Sequence, residues 1–536
     1  MLSTLSHDGV DTPGRPQLEE RRILRREGGR AARQSASQRS TRQAVGPGVL
    51  GGTYRPLSDR DLQLIHATML NVLEKIGMGD PPAEVQTLAL SKGCRLNERG
   101  RLCFPRALVE DVIAKAGRNF TLHARDPAWS LDLRNARVHF GASGVAVLVS
   151  DLDTGRYRPS TMLDLYDFAR LVDVLENVHF FNRPVIGRDI ADTRLHDVNM
   201  AYVCAAGTRK HIAIGFNAGA HVQDAAAMYD LIAGGEGRFR ERPFCSVGSC
   251  AVVSPLRFAA ENCEVSMAAA RLGFPINMII AGQAGATAPA ALAGTLVQTT
   301  AETIAGLLLV NFVSPSHPVI FSNWPLVSDL RTGAFTGGGG EEAVLTAASA
   351  QISRFYDLPA GVGAGMADSK TPDNQEGYEK GITTALAGLA GANMVYEAAG
   401  MLASLMACSF EAFVIDDDML GSVLRAVRGI EVTEESLSFE VIRAAVEGPN
   451  HYLGSQQTLD LMKSEFFYPK LGDRGDADQW EAGGSKDIRE RARERVREIL
   501  RRHYPVHLDP EMDRAIRNRF EILIPMEAMK AGNGRW

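Results

Sequence analysis

The sequence predicts an α/β fold: a closed (β/α)8 barrel, preceded by an N-terminal α/β accessory region and followed by a C-terminal helical extension. Three observations predict it. From about residue 160, short apolar runs alternate with longer helical patterns, eight times over. Each run is apolar on both faces, as a parallel sheet covered by helices requires. The alternation occupies roughly 250 residues, the usual extent of such a barrel.

The arm comes first. Residues 1–48 are rich in Arg, Ser, Gln and Gly and nearly bare of large apolar side chains after Leu24, so they are expected to be disordered. The accessory region is expected over 49–160. It opens with a helix capped by Ser58, with Leu62, Ile65, Met69, Val72 and Leu73 at helical spacing. Helices are expected at 84–92 and in "PRALVEDVIAKAG", where Pro105 suits a first turn. Two β-rich pieces follow, "FTLHARD" and "VHFGASGVAVLVSDLDTGRYRPS", the second turning at Asp153-Thr154-Gly155.

The barrel is expected over 161–430. Its strands are assigned to 178–186, 210–216, 244–253, 275–285, 318–324, 360–367, 394–400 and 412–416. Helices fill the gaps at 194–206, 221–233, 257–272, 289–312, 340–356, 373–391, an ambiguous 401–411, and 418–428, with Gly234 and Gly273 as C-terminal stops. The extension covers 431–536 and carries "SKDIRERARERVREILRRH", capped by Ser485, its charged face solvated or forming a dimer rim.

Composition excludes several classes. Net charge is −6, and no long basic face appears beyond residue 50, so nucleic acid is not expected as a partner. The seven cysteines form no C-x-x-C pair and read as buried thiols of a reducing compartment. No secretory signal is visible, and the longest apolar run, 305–313, is too short to cross a bilayer. A cytoplasmic protein, with no membrane association and no tightly bound metal, is expected.

In a barrel the chemistry lies at the C-terminal strand ends. Here those ends carry Arg188, Asp189, Phe216, Asn217, Ser254, Gln283, Asn323, Trp324, Gly365, Asp368, Lys370, Glu397 and Asp416–Asp418. No hydrolytic metal constellation and no G-x-S-x-G elbow is present. The glycine run 337–340 precedes Glu341 and Glu342, which would repel an anion, but its bare backbone would admit something large and flat. Phe140, Phe216, Phe321, Trp324, Phe335, Tyr356 and Tyr396 are candidates for an aromatic box. Such a box with carboxylates behind it holds a quaternary ammonium, which cannot donate a strong hydrogen bond. Trp324 is the foremost of them.

Long segments then match a known family. "GMADSKTPDNQEGYEKGITTALAGLAGANMVYEAAGML", "TRKHIAIGF", "LAGTLVQTTAETIAGLLLV", "FEAFVIDDDMLGSVLRAVRGIEV" and "WEAGGSKDI" resemble the trimethylamine methyltransferase (MttB) family over about residues 55–505. The resemblance implies a TIM barrel. It also implies transfer of a methyl group from a methylated amine to the Co(I) of a corrinoid (cobalamin-type) cofactor on a separate corrinoid protein. Some members carry pyrrolysine before a D-A-K motif. Aligned on Asp368-Ser369-Lys370, that position falls at Gly365, so this chain, which has no pyrrolysine, resembles the non-pyrrolysine branch that acts on quaternary amines such as glycine betaine.

On that resemblance the expected catalytic set is Gly365, Asp368, Lys370 and Glu341. Gly365 would open space for substrate, and the two acids would set a negative potential. Asn323, Trp324, His211, Gln375, Gln283 and Phe216 are expected to bind substrate, His211 or Lys370 meeting its carboxylate. Gly338 and Gly339 would face the corrinoid. Glu302, on a helix, reads as a structural partner. A homo-oligomer is expected. Two other readings compete: a non-catalytic quaternary-amine binder, and a Schiff-base lyase using Lys370.

Overall fold

The computed structural model describes residues 43–536. The arm expected over 1–48 falls almost wholly outside them. Helix Asp59–Asn71 starts on Ser58 through a reciprocal capping box with Asp61 and buries Leu62, Ile65, Met69 and Leu70. Asp153-Thr154-Gly155 does turn a hairpin, joining Leu148–Ser150 to Tyr157–Pro159.

Eight parallel strands close a barrel. They are β1 (Arg137–Ala142), β2 (Phe180–Asn182), β3 (His211–Ile214), β4 (Cys245–Ser249), β5 (Ile276–Ile280), β6 (Val319–Asn323), β7 (Ala360–Gly363) and β8 (Met394–Ala399). A helix follows each: α1 (Met162–Val174), α2 (Thr193–Gly207), α3 (Gly219–Ala233), α4 (Ala260–Leu272), α5 (Leu292–Val313), α6 (Gly340–Phe355), α7 (Asn374–Ala390) and α8 (Phe410–Arg428). Closure comes from β1, which pairs with β8 on one side and with β2, Gly141 opposite Phe180, on the other. Gly234, Gly273 and Gly391 end α3, α4 and α7 in the left-handed conformation.

One strand lies elsewhere than the sequence pattern puts it. The run 412–416 is inside α8, and the missing strand is β1, within the segment expected as accessory. The ambiguous 401–411 opens as a hairpin, Met401–Leu402 with Ala407–Ser409, the latter pairing with Leu148–Ser150. The physical reason is the same at both errors. A five-residue apolar run has no period that separates buried strand from buried helix. In β1 ("RVHFGA"), His139 and Gly141 occupy the inward positions, so the apolar signal of a covered strand is diluted.

The barrel interior is shared out residue by residue. Part of it is polar: His211 on β3 hydrogen-bonds Ser246 on β4 at 3.0 Å, and Ser322 on β6 bonds Asn277 on β5. Nearer the mouth, glycines make room for rings. A Cβ on Gly141 would lie 2.1 Å from the Phe180 ring, and one on Gly363 would lie 3.0 Å from Trp324. Helix α5 is by length and composition apolar enough to span a membrane, yet 83% of its most apolar window is buried inside the protein. It is a core helix of the barrel wall.

The chain divides into two compact units. Gly46–Arg428 and Pro469–Trp536 form one, and the other contains, among the described residues, 43–45 and Gly429–Tyr468. The extension expected over 431–536 is therefore divided between them. Within the barrel unit, helix α9 (Ile488–Arg502) is capped by Asp487, not Ser485. Arg170 of α1 donates to the carbonyls of Leu500 and His503 and fastens α9 to the barrel. The smaller unit carries helices Phe439–Val446 and Gln456–Leu461 and leaves Phe439, Val446 and Leu453 largely exposed.

The interior packing makes a direct prediction. A Cβ on Gly361 would fall 1.9 Å from Ser322 Oγ and 2.8 Å from Ile320 Cγ2. Gly361→Ala is expected to cost about 1–3 kcal/mol, read as a lower urea midpoint at unchanged slope.

Candidate active site

The mouth is built from the last residues of β6, β7 and β8 and the loops above them. Three rings make a wall. Tyr396 of β8 meets Phe180 of β2 edge-on, with centroids 5.0 Å apart, and lies 5.5 Å from Trp324, which directly follows β6. The Trp324 Nε1–H and the Tyr396 hydroxyl are buried and have no hydrogen-bond partner among the described residues. Gly363, opposite Tyr396 in register, gives Trp324 its place.

Four carboxylates gather at this end. Asp368, after β7, accepts from Thr336 Oγ1 at 2.6 Å, Ser404 Oγ at 2.7 Å and the Gly337 N–H at 2.9 Å. Glu379, on α7, accepts the N–H groups of Asp368 and Ser369 and the amide of Gln375. Glu397 sits where β8 bulges, at φ +67°, wholly buried, with the Gly144 N–H donating to it at 2.7 Å. That conformation is rare for a side-chain-bearing residue and marks a position held by its surroundings. Burial pushes the Glu397 carboxyl up to about 8.

Glu342 is the exceptional one. It lies in the first turn of α6, fully buried, and neither carboxylate oxygen has a partner among the described residues. Burial first, then the neighbouring acids Asp368, Glu379 and Glu397, hold its carboxyl well above the ordinary range. The other three acids are held by N–H, hydroxyl or amide donors, not by cations. Lys380, next to Glu379 in sequence, is committed to Glu376 and Asp416. An acid cluster with no cation paired to it among the described residues, beside aromatic faces, is a surface that a positive ligand would satisfy.

A cleft of about 580 Å³ adjoins this end, lined by Ala284, Val327, Ser328, Phe335, Glu341 and Asp368 among others. Glu341 is exposed on its wall, one residue out of phase with the buried Glu342. Lys370 stands exposed at the rim with Nζ donating to the backbone O of Asp368 at 2.6 Å, outside the buried surroundings a Schiff-base lysine needs. Gln283 accepts from Ser328 Oγ at 2.9 Å, and Gln375 is held by Glu379, both close to the acidic end.

Other expected positions lie elsewhere. His211 begins β3, at the opposite end of the barrel from the strand C-termini. It is bonded to Ser246 and to the carbonyl of His123 at 2.6 Å, and burial pushes its imidazole down to about 4. The Asn323 side chain donates to Thr300 Oγ1 of α5 at 3.2 Å, on the outside of the barrel. Phe321 and Tyr356 meet at 6.1 Å in the same outer layer, and Phe140 packs beside Gly388 of α7. Phe216 is buried just beyond β3.

Gly365 opens no space. Its φ is +92°, and a Cβ there would lie 2.7 Å from the Cα of Ala398 and 3.0 Å from the Glu397 carbonyl. It is a contact between β7 and β8. Gly338 likewise gives its space to Glu379, whose Cγ would be 2.4 Å from a Cβ, while Gly339 is the N-cap of α6. Glu302 takes donors from Ser254, Leu256 and Gln298, a structural role as expected.

The sequence pattern did not single out Phe180 or Glu342. A helical-phase argument would have found the second: Glu342, Leu345, Thr346, Ser349 and Ser353 share the buried face of α6, whereas Glu341 goes with exposed Val344.

Comparison with known proteins decides the family. The family description "Trimethylamine methyltransferase (MTTB)" matches residues 25–521. The chain belongs to the trimethylamine methyltransferase family. It is a methyltransferase. It is 33% identical over 481 residues to the trimethylamine methyltransferase MttB of Methanosarcina thermophila, covering 88% of this chain and 98% of that one. It is 32% identical over 467 residues to the glycine betaine methyltransferase of Desulfitobacterium hafniense (strain Y51), covering 87% and 96%. The crystal structure of the Methanosarcina barkeri monomethylamine methyltransferase (MtmB) aligns with a TM-score of 0.46 at 14% identity, covering 84% of this chain and 95% of that one.

The raised Glu397 carboxyl makes a stability prediction. The folded state keeps its proton above the ordinary 4.5, while the unfolded chain loses it. The stability that this carboxyl contributes is therefore lost as pH climbs from 4.5 to about 8. Glu397→Gln is expected to melt like the parent at pH 4 and at higher temperature than the parent above pH 8, in a pair of thermal melts across that window.

Proposed function

We propose that this methyltransferase moves a methyl group from a quaternary ammonium compound of the glycine betaine type to the reduced cobalt of a corrinoid carried by a separate protein. One observation carries the reading: the rings of Trp324, Tyr396 and Phe180 stand at the same barrel end as the unpartnered Glu342 carboxyl, with Glu397, Asp368 and Glu379 around it. This surface suits a permanent cation. A protonated amine would suit it electrostatically too, but the ring faces favour a positive group wrapped in methyls.

The chemistry asks little acid–base help from the chain. A quaternary nitrogen leaves as a neutral tertiary amine, so no general acid is needed. The acceptor supplies a strong nucleophile. What the residues contribute is position: the rings hold the methyl groups, and the carboxylates fix the nitrogen so that one N–CH₃ bond points out of the mouth. Such alignment can supply up to roughly 7–11 kcal/mol of a displacement barrier. The cleft beside Asp368, walled by small side chains such as Ala284, Ala290 and Ala334, fits the approach of a flat macrocycle. With this reading go a cytoplasmic location, for which the seven free thiols speak, and assembly as a homo-oligomer.

The test is an anaerobic screen of quaternary amines with Co(I) cobalamin, following methylcobalamin by absorbance. At least one betaine-type amine should be demethylated, and Trp324→Ala should lower kcat/KM by about tenfold or more, the worth of one desolvated cation–π contact. If no quaternary amine yields methylcobalamin while trimethylamine does, the substrate class is wrong.

A further inference from the structure

The Glu342 carboxyl poses a problem of charge. Ionised before any cation binds, it would be a wholly buried anion with no donor among the described residues on either oxygen, facing three more acids. Those acids come from three neighbouring elements: Asp368 from the loop after β7, Glu379 from α7 and Glu397 from β8, while Lys380 of α7 is turned to Glu376 and Asp416 and Lys370 stands exposed with Nζ on the backbone O of Asp368. Neutral in the presence of a quaternary ammonium, it would add nothing to the counter-charge that Asp368 and Glu379 offer that cation.

We propose that Glu342 holds a proton in the resting site and releases it to solvent when a permanently charged ammonium binds, so that substrate binding is an exchange of one proton for one cation. This rests on the mouth being a cation site, and not on methyl transfer. The charges balance: a neutral carboxyl plus a quaternary cation becomes a carboxylate–ammonium pair plus a free proton. After demethylation the nitrogen is a neutral tertiary amine, so the pair has lost its positive member. The attraction that held the substrate is gone until a proton returns, to the amine or to Glu342. Substrate retention and product release thus follow from one carboxyl. A neutral tertiary amine offered to the resting site would instead take the Glu342 proton for itself, with none released.

Calorimetry on the full chain tests this. Tetramethylammonium and glycine betaine are titrated in two buffers of different ionisation enthalpy at pH 7, and the difference in heat gives the protons exchanged. One proton released per cation is expected, with Kd tightening about tenfold per pH unit while the site remains protonated. Glu342→Gln, its fold checked by circular dichroism, should bind the cation more weakly and release no proton. Cation binding without proton release in the parent protein overturns the proposal whatever the variant does, as does a Glu342→Gln protein that keeps both affinity and proton release. Absence of any cation binding overturns it together with the reading of the mouth. Proton-linked binding without methyl transfer would sink the proposed activity and leave this exchange standing. Methyl transfer without proton linkage would do the reverse.

Discussion

A closed eight-stranded barrel encloses a fixed volume, and every large side chain pointing inward must be matched by a small one beside it. Here the matching is between glycines and rings. Gly141 yields to Phe180, Gly363 yields to Trp324, and Tyr396 fits between those two rings. The glycine-rich strand is therefore not an opening in the barrel. It is the complement of its neighbours, and the same complementarity sets the rings as a wall at the C-terminal end. Gly365 extends the principle to the backbone, since its lack of a side chain lets β7 lie against β8 where the latter bulges.

That bulge has an electrostatic consequence. It turns Glu397 into the buried end of the barrel at a positive φ, where it meets the acids delivered by α6, α7 and the loop between β7 and α7. Asp368 and Glu379 are each held by several donors. Glu342 has none. Placement in the first turn of a helix favours a negative charge by about 1 kcal/mol, far less than burial of an unpaired carboxylate costs. The imbalance suits a group whose charge is completed from outside, by a ligand.

Outside this region the protein uses its polar residues to hold itself together. Lys210, wholly buried, donates to the carbonyls of Val172, Leu175 and Val178. Asp173 receives His503 and His507 at 2.9 Å each and ties the segment after α9 to α1. Lys380 joins α7 to α8 through Asp416. These contacts are complete within the chain, which is what separates them from the mouth.

Much of the architecture was readable from the sequence alone, because hydrophobic period, capping residues and glycine stops are local properties. Seven of the eight strands, the helices between them and the C-terminal glycines of α3 and α4 follow from residues a few positions apart. Local pattern also brought Trp324, Tyr396, Asp368 and Glu397 to this end of the barrel, whereas Phe140, Phe321 and Tyr356 pack in the outer layer and Asp416–Asp418 lie on α8. What it left undecided needed the neighbouring strand. Whether "RVHFGA" or "AFVID" completes the barrel depends on which one can pair with both β8 and β2. Whether Gly365 is a cavity or a contact depends on Ala398, which lies on β8. That the buried one of two adjacent glutamates meets acids and no donor among the described residues depends on α7, β8 and the loop after β7. Tertiary packing decided these because each is a question of distance between residues far apart in sequence, and a one-residue step along a helix turns a side chain by roughly 100°, from solvent to core.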